Sequence, residues 1–200
     1  MDWRSQITAQ FAKPTGLAGS MVGHLMAIKN RNRSIWVFSL LDLNPADRVL
    51  EIGFGSGADI ARASGTAAFV AGVDHSDVMV RQATRRNAAA IHEGRVSLQL
   101  GAAGQLMYPD SHFDKVFAIN SAQFWKDMAK PLNEISRVLK PRGWVALAVQ
   151  PRSKNATDET SRQVGIGLSK ALTATGFEEV HCEFQQMRPV ATVCVLGRRP

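Results

Sequence analysis

The sequence has few cysteines and no long apolar run, and both shortages exclude whole classes of protein. Cys182 and Cys194 are its only cysteines, too few for a disulfide framework and too widely spaced for a zinc site. No stretch reaches the roughly 20 uninterrupted apolar residues that cross a bilayer. The first residues also lack the basic-then-apolar order of a secretory signal. We therefore expect a cytoplasmic protein with no transmembrane segment and no metal site.

Acidic residues are missing from a long segment near the start of the chain. The net charge is +7 overall, yet residues 3–41 contain no aspartate or glutamate. Their basic residues are Arg4, Lys13, Lys29, Arg31 and Arg33. Such a segment can attract an anionic small molecule or lie against an anionic membrane as a peripheral contact, and a solvated surface without a ligand is the alternative.

The remaining composition is typical of one globular domain. Hydrophobic residues make up 45% of the chain and charged residues 20%, which excludes a disordered tail. A chain of 200 residues can bury one full core but leaves little for a second. We expect a single domain over 1–200, with an N-terminal helical lid at 1–42, a cofactor-binding core at 43–150, and a C-terminal helix and β-hairpin at 151–200.

Short β-branched runs alternate with helical patterns through most of the chain. This alternation requires right-handed crossovers and leads to a parallel sheet with helices on both faces. The last two strands are joined by a link so short that they must form an antiparallel hairpin. The predicted fold is α/β and doubly wound, with a mostly parallel sheet of seven strands, the last one antiparallel. Strands are predicted at Arg48–Ile52, Phe69–Asp74, Val96–Leu100, Lys115–Ile119, Trp144–Val149, Glu179–Gln185 and Ala191–Leu196, and helices at Ala58–Ser64, Asp77–Ala90, Met128–Leu139 and Ser161–Thr175.

A glycine turn directly follows the first predicted strand. Gly53, Gly55 and Gly57 alternate with other residues, and a helical pattern begins at Ala58. Glycine is needed where φ is positive or where a ligand presses against the backbone, and the N–H groups at a helix start can bind that ligand. The spacing also fits a dinucleotide-binding fingerprint, so an NAD(P)-dependent oxidoreductase is one alternative.

Two acidic residues near the turn give information about the cofactor. Glu51 lies two residues before the first glycine, where it would repel a pyrophosphate but attract the cationic methionine part of S-adenosylmethionine. Asp74 ends the next predicted strand, where an acid can accept both ribose hydroxyl hydrogens of either cofactor. Glu51 therefore favours the methyl donor, and Asp74 indicates a nucleoside.

From Pro45 to the C-terminal hairpin, the sequence resembles the class I S-adenosylmethionine-dependent methyltransferases, which have a Rossmann-like fold. Four segments in the family's order carry the resemblance: Val49–Gly57, Gly72–Ser76, Asp110–Phe117 and Glu134–Trp144. One departure is the stretch Gly101–Gly104, which has no acid where similar enzymes bind the adenine amino group. Adenine would then be held by backbone groups or by Gln105.

The resemblance implies a set of site residues. The cofactor contacts would be Glu51, Gly53, Phe54, Gly55 and Gly57 on the methionine side, Asp74 at the ribose, His75, Met79, Ala102 and Ala103 near the adenine, and Asn120 beside the sulfonium. The substrate contacts would be Gln123, Phe124 and Trp125 after the fourth strand, and Phe11, Met26, Asn30 and Trp36 in the lid. His24 and Asn120 are the candidate catalytic residues. The alternative for the lid is a set of helices that pack on the sheet and contact no ligand.

Methyl transfer from a sulfonium is an in-line displacement, so alignment of the acceptor, the methyl group and sulfur is its main requirement. A base is optional, since a neutral amine needs none. The chain has no added domain to hold nucleic acid, so we expect a small-molecule acceptor. The alternatives are a phospholipid headgroup, a peptide N-terminus, and a protein that binds the cofactor without catalysis.

Overall fold

The computed structural model describes residues 31–200, which form a seven-stranded sheet and its flanking helices. The described part of the first helix, α1, covers residues 31–41. The other helices are α2 (Ala58–Ala63), α3 (Asp77–Arg86), α4 (Ala88–His92), α5 (Ala129–Val138) and α6 (Asp158–Ala174), and a short 3-10 turn covers Ala122–Phe124. The strands are β1 (Arg48–Ile52), β2 (Phe69–Asp74), β3 (Val96–Leu100), β4 (Phe113–Ile119), β5 (Leu139–Val149), β6 (Glu178–Gln185) and β7 (Thr192–Arg198).

The sheet confirms the predicted doubly wound topology. Its strand order is β3-β2-β1-β4-β5-β7-β6. Only β7 runs against its neighbours β5 and β6, so the antiparallel strand is the last in the chain. The order reverses between the adjacent strands β1 and β4. In sheets of this kind, the crevice at such a reversal, beyond the carboxyl ends of the strands, is where ligands bind.

Helices cover both faces of the sheet because successive strand residues point to opposite sides. Val49 belongs to the core cluster that includes residues of α1 and α2, whereas its neighbour Leu50 belongs to the cluster that includes residues of α5 and α6. On α1, Val37 and Leu41 are one turn apart and both are buried. The described part of the predicted lid thus packs on a sheet face.

The two largest departures from the predicted boundaries each arise because a long-range contact overrides the local pattern, while several other bounds differ by one to three residues. The helix predicted over Asp77–Ala90 is interrupted at Asn87, whose amide nitrogen donates hydrogen bonds to the carbonyls of Ala83 (2.8 Å) and Gly57 (3.1 Å). The fifth strand begins at Leu139, not at Trp144, because Leu139 already pairs with Phe113 of β4 before the register shifts.

We expect Asn87→Ala to lower the free energy of unfolding by about 1–2 kcal/mol, because two buried hydrogen bonds are lost, one to Ala83 of α3 and one that joins the end of α3 to the glycine turn at Gly57. Urea unfolding followed by circular dichroism measures this. Thr84→Ala is the control, since Thr84 is exposed and its hydroxyl bonds only within its own helix. Equal effects of the two changes would show that Asn87 does not anchor the turn.

Candidate active site

A cavity of about 640 Å³ opens at the reversal in strand order, beyond the carboxyl ends of β1, β2 and β4. This volume is within the usual range for small-molecule sites. Its walls come from the ends of these strands and from the loops that follow them. The lining residues are Ile52, Gly53, Val73, Asp74, His75, Ser76, Asp77, Val78, Met79, Gly101, Ala102, Ala103, Asn120, Ser121, Phe124 and Trp125.

Asp74 is a rigidly held carboxylate at the end of β2. It is 5% exposed, its Oδ2 accepts a hydrogen bond from the Gly55 N–H (2.8 Å), and its Oδ1 accepts one from the Ser76 N–H (2.9 Å). Each carboxylate oxygen can accept a second hydrogen bond. The side chain can therefore accept two adjacent hydroxyl groups of a ligand, as a ribose anchor must.

The glycine turn is fixed by the loop that follows β4. Gly53 has φ +81°, and a Cβ atom there would lie 2.4 Å from the Cβ of Ser121. The Ser121 hydroxyl donates to the carbonyl of Ile52 (2.5 Å), so the ends of β1 and β4 are joined beside the cavity. A Cβ atom on Gly55 would meet nothing within 4 Å. Gly53 is thus required for packing, while the space beside Gly55 is open.

Glu51 is buried at the end of β1, behind the cavity-lining residues Ile52 and Gly53. It is 2% exposed, it accepts a hydrogen bond from the Ile60 N–H, and its Oε2 has no donor among the described residues. Burial, together with the negative charges of Asp59 and Asp74, raises the pKa of Glu51 well above its usual range. Arg62, which pairs with Asp59, acts in the opposite direction. A cationic ligand near Glu51 and Asp74 would be favoured by their negative charges.

The predicted adenine wall is a loop that α5 holds in place. Glu134 accepts a hydrogen bond from the Leu106 N–H (2.7 Å), and Arg137 donates to the carbonyls of Leu106 and Tyr108 (both 2.8 Å). Ala102 and Ala103 of this loop face the cavity together with Met79 of α3. Small and apolar side chains lining the cavity suit a flat aromatic ring.

Asn120 follows β4 in a left-handed conformation, with φ +53°. Its N–H donates to the Ala148 carbonyl (2.8 Å), and its Oδ1 accepts a hydrogen bond from the Gln150 N–H (2.8 Å). The amide nitrogen is then the group that Asn120 can direct toward a ligand as a donor. A neutral amide cannot remove a proton, so Asn120 can orient a reactant but cannot act as a base.

The structure brings most of the described candidate residues together. Those that line the cavity are Gly53, Asp74, His75, Met79, Ala102, Ala103, Asn120, Phe124 and Trp125. Those that do not line it are Trp36, Glu51, Phe54, Gly55, Gly57 and Gln123. The candidates Phe11, His24, Met26 and Asn30 lie outside the described residues, and their roles stay predictions.

Three of the candidate residues that do not line the cavity pack or are buried elsewhere in the protein. The ring of Phe54 is 4% exposed and packs in the core, where it would be 2.6 Å from a Cβ atom on Gly72. Trp36 packs against the hydrophobic cluster on its face of the sheet. Gln123 is 5% exposed, and its Oε1 has no hydrogen-bond donor among the described residues. The Phe54 and Trp36 side chains thus contribute packing on this face.

The sequence reasoning missed two serines of the site. Ser76 lines the cavity and accepts a hydrogen bond from Met79 as the N-cap of α3, a role that its place just before a helical pattern could have indicated. Ser121 contacts Gly53 of the glycine turn, which lies 68 residues earlier in the chain. No local signal indicates such a contact.

Comparison with known proteins agrees with this geometry. A family model described as a methyltransferase domain matches residues 50–147. An uncharacterized methyltransferase of Bacillus subtilis, YdaC, is 30% identical over 182 residues, which cover 90% of this chain and 98% of that protein. The chain belongs to the class I S-adenosylmethionine-dependent methyltransferases.

Two other proteins similar to this methyltransferase are an enzyme whose name states its substrate and an enzyme whose structure was solved with a ligand. The 27-O-demethylrifamycin SV methyltransferase of Amycolatopsis mediterranei is 33% identical over 64% of this chain, which spans 50% of that enzyme. The N-methyltransferase NodS of Bradyrhizobium japonicum, solved with S-adenosylhomocysteine, superposes with a TM-score of 0.69 at 19% identity and covers 85% of this chain and 87% of NodS. The NodS likeness shows a shared fold.

We expect Gly53→Ala to destabilise the methyltransferase by several kcal/mol, because the new Cβ would overlap Ser121. Gly94→Ala is a matched control, since Gly94 has φ +71° but open space around a Cβ, so it should cost only the backbone strain of about 1 kcal/mol. Thermal unfolding of both variants gives the comparison. Equal losses would mean that the contact with Ser121 does not constrain the turn.

We expect Glu51→Gln to raise the free energy of unfolding by about 1–3 kcal/mol at pH 8 and to leave it unchanged near pH 4. A carboxyl whose pKa is raised on folding stabilises the folded state below its unfolded pKa, and this stabilisation is lost as the pH rises through its folded pKa. The wild-type protein therefore loses stability by pH 8, whereas the variant, which cannot ionise at this position, does not. Urea unfolding across this pH range tests it. Glu178→Gln, at an exposed site, is the control. If Glu51→Gln instead destabilises the protein at pH 8, the assignment of a raised pKa is contradicted.

Proposed function

We propose that this chain transfers the methyl group of S-adenosylmethionine to a small-molecule acceptor by in-line displacement. The observation that carries the proposal is the arrangement of Asp74 and Glu51 on either side of the glycine turn. Asp74 is a carboxylate with spare accepting capacity that lines the cavity, and Glu51 is a buried carboxylate with an unpartnered oxygen just behind it, as far as the described residues go. The first suits a ribose and the second a cation.

The cavity-lining residues suit the nucleoside part of this cofactor, and Glu51 beside them suits its methionine part. Asp74 would accept the two ribose hydroxyls, and the wall of Met79, Ala102 and Ala103 would enclose the adenine. Glu51 would attract the methionine ammonium group, directly or through a water molecule. When bound, the cofactor supplies an electrophilic methyl group whose bond to sulfur breaks as the bond to the acceptor forms.

The acceptor would enter beside Asn120, Phe124 and Trp125, which line the side of the cavity next to β4. Asn120 would orient a reactant through its amide N–H group, and the two aromatic side chains would exclude water. Proximity and orientation can supply on the order of 7–11 kcal/mol of the barrier reduction. An acceptor that is already neutral and nucleophilic therefore needs no base, and His24 is our candidate base for a hydroxyl acceptor.

Electrostatics weigh against a nicotinamide cofactor. Burial, and then the charges of Asp59 and Asp74, raise the pKa of Glu51, and Arg62 opposes them only in part. A pyrophosphate at the same turn would add two more negative charges to this region. The field that favours a sulfonium thus opposes NAD(P).

Of the two described basic residues in the segment 3–41, Arg31 is exposed, but the position of Arg33 weighs against phospholipid headgroups as acceptors. Arg33 belongs to the basic segment but is 2% exposed and donates hydrogen bonds to Gln150 and Thr192 inside the protein. It cannot face a membrane surface in this position. Within residues 31–200, no helix is long and apolar enough to cross a bilayer.

Calorimetric titration with S-adenosylmethionine, S-adenosylhomocysteine and NAD tests the cofactor. The first two should bind, and Asp74→Asn should weaken both by about 30-fold, which is about 2 kcal/mol, because an amide cannot accept the same hydrogen bonds. Asp127→Asn, an exposed site outside the cavity lining, should have no effect. Binding of NAD without either methyl-donor ligand would remove the proposal.

Turnover distinguishes an enzyme from a protein that only binds the cofactor. Formation of S-adenosylhomocysteine would be followed with panels of amines, phenols, thiols and carboxylic acids, with peptides, and with vesicles of phosphatidylethanolamine. We expect product with a soluble small molecule. Product with vesicles alone, or with peptides alone, would instead assign the corresponding alternative acceptor.

A further inference from the structure

One of the exposed apolar side chains lies in the wall of the cavity. Of the six large apolar side chains that are exposed in residues 31–200, only Phe124 lines the cavity, and it is 42% exposed. Trp125, which is partly exposed, lines the cavity next to it. Aromatic side chains that line a cleft and stay exposed are typical of a surface that an apolar ligand covers.

The backbone around Phe124 is held by a hydrogen-bonded turn. The Phe124 N–H donates to the Ser121 carbonyl (3.0 Å), and the Trp125 N–H donates to the Ala122 carbonyl (3.1 Å). Ala122 is fully buried and anchors this 3-10 turn in the core. In the part of the chain that the structure describes, Phe124 is stacked on no other aromatic ring. The turn therefore places an unstacked ring in the cavity wall.

The aromatic wall formed by Phe124 and Trp125 is well separated from the ribose anchor. Asp74 ends β2, whereas the turn follows β4, and β1 lies between these two strands in the sheet. With neighbouring strands about 4.8 Å apart, the ends of β2 and β4 are roughly 10 Å apart. Asn120 directly follows β4 and also lines the cavity. The aromatic wall thus lies on the side of the cavity where the acceptor would enter.

The ionisable side chains that line the cavity lie on the nucleoside side. Asp74, His75 and Asp77 all come from the end of β2 and the loop that follows it. The described lining residues from β1, β4 and the loops after them have no ionisable side chain. An anionic acceptor would find no cation among them, and a cationic acceptor would be repelled by the sulfonium. An uncharged acceptor meets neither cost.

We propose that the methyl acceptor is an uncharged molecule with a flat aromatic ring, which lies against Phe124 and Trp125 and accepts a hydrogen bond from the Asn120 amide nitrogen. The proposal rests on the proposed function, because it names the acceptor class of the same cleft. Contact between aromatic rings adds to the apolar area that such a molecule buries. A hydroxyl or amino group on the ring would attack the methyl carbon with its own electron pair. Sulfur would keep the pair of the broken bond, and the acceptor's proton would pass to solvent.

Calorimetric titration of the S-adenosylhomocysteine complex with 2-naphthol tests the aromatic wall. The comparison probes are decahydro-2-naphthol, which has the same skeleton without aromatic rings, and 2-naphthoate, which is an anion. Wild-type protein should bind 2-naphthol saturably, about threefold or more tightly than decahydro-2-naphthol and about tenfold or more tightly than 2-naphthoate. Equal or tighter binding of either comparison probe would overturn the proposal.

The variant Phe124→Leu keeps an apolar side chain but removes the ring. It should weaken 2-naphthol binding about three- to tenfold and leave the binding of decahydro-2-naphthol and of S-adenosylhomocysteine unchanged. Phe184→Leu is the matched control and should change none of these affinities, since Phe184 is 46% exposed and does not line the cavity. Unchanged 2-naphthol binding by Phe124→Leu would overturn the proposal. So would weakened S-adenosylhomocysteine binding, because the ring would then belong to the cofactor pocket.

Titration with S-adenosylhomocysteine alone separates the inference from the function on which it rests. If this ligand binds and 2-naphthol does not bind the complex, the inference fails and the cofactor assignment stands. If S-adenosylhomocysteine does not bind, the proposed function fails. The 2-naphthol titrations of the free wild-type and Phe124→Leu proteins then decide the aromatic wall separately.

Discussion

The Glu51 carboxylate is the feature on which the account of the site depends. An ionised carboxylate is expensive to bury unless it is paired, and Glu51 has one backbone donor and an Oε2 without any among the described residues. Asp59 and Asp74 make its charge still less favourable. A residue that opposes folding in this way is explained if a cationic ligand completes its surroundings, and a methionine ammonium group does so.

The scaffold holds this unfavourable charge in place through contacts between distant parts of the chain. Ser121 joins the end of β4 to β1, and Asn87 joins the end of α3 to the glycine turn. The Gly55 N–H, from the same turn, orients Asp74. Hydrophobic clusters on both sheet faces fix the strands from which these residues extend. The site is therefore held by these hydrogen bonds together with the core on both sheet faces.

Much of the fold could be predicted from sequence because its signals are local. Alternating strand and helix patterns placed β1, β2 and β3 at their observed bounds, and the glycine turn and Asp74 were recognisable from their place at strand ends. The interruption of the helix at Asn87 was not, since it depends on a carbonyl 30 residues away. Phe54 was predicted to contact the cofactor as part of the turn. Its ring packs in the core with Val49 and Ile60, on the other face from Ile52, because Gly53, with φ +81°, ends the alternation of the strand.

The acceptor side was harder to predict for the same reason. Arg33 belonged to a segment whose charge suggested a basic surface, yet its hydrogen bonds to residues 117 and 159 positions away bury it beside Asn120. Charge alone does not distinguish a solvated arginine from one that is hydrogen-bonded inside the protein. Ser121 and Gln150 likewise have ordinary sequence surroundings, and only the sheet order brings Ser121 to the cavity and Gln150 to Asn120.

The most direct test of the central claim is the pKa of Glu51, measured by carbon-13 NMR of the glutamate carboxyl groups with Glu51→Gln to assign the signal. In the free protein this carboxyl should titrate well above the usual glutamate value of about 4.3, and saturation with S-adenosylhomocysteine should lower its pKa because the ligand's ammonium group stabilises the charged form. A pKa near the usual value in the free protein, or one that the ligand does not lower, would contradict the account.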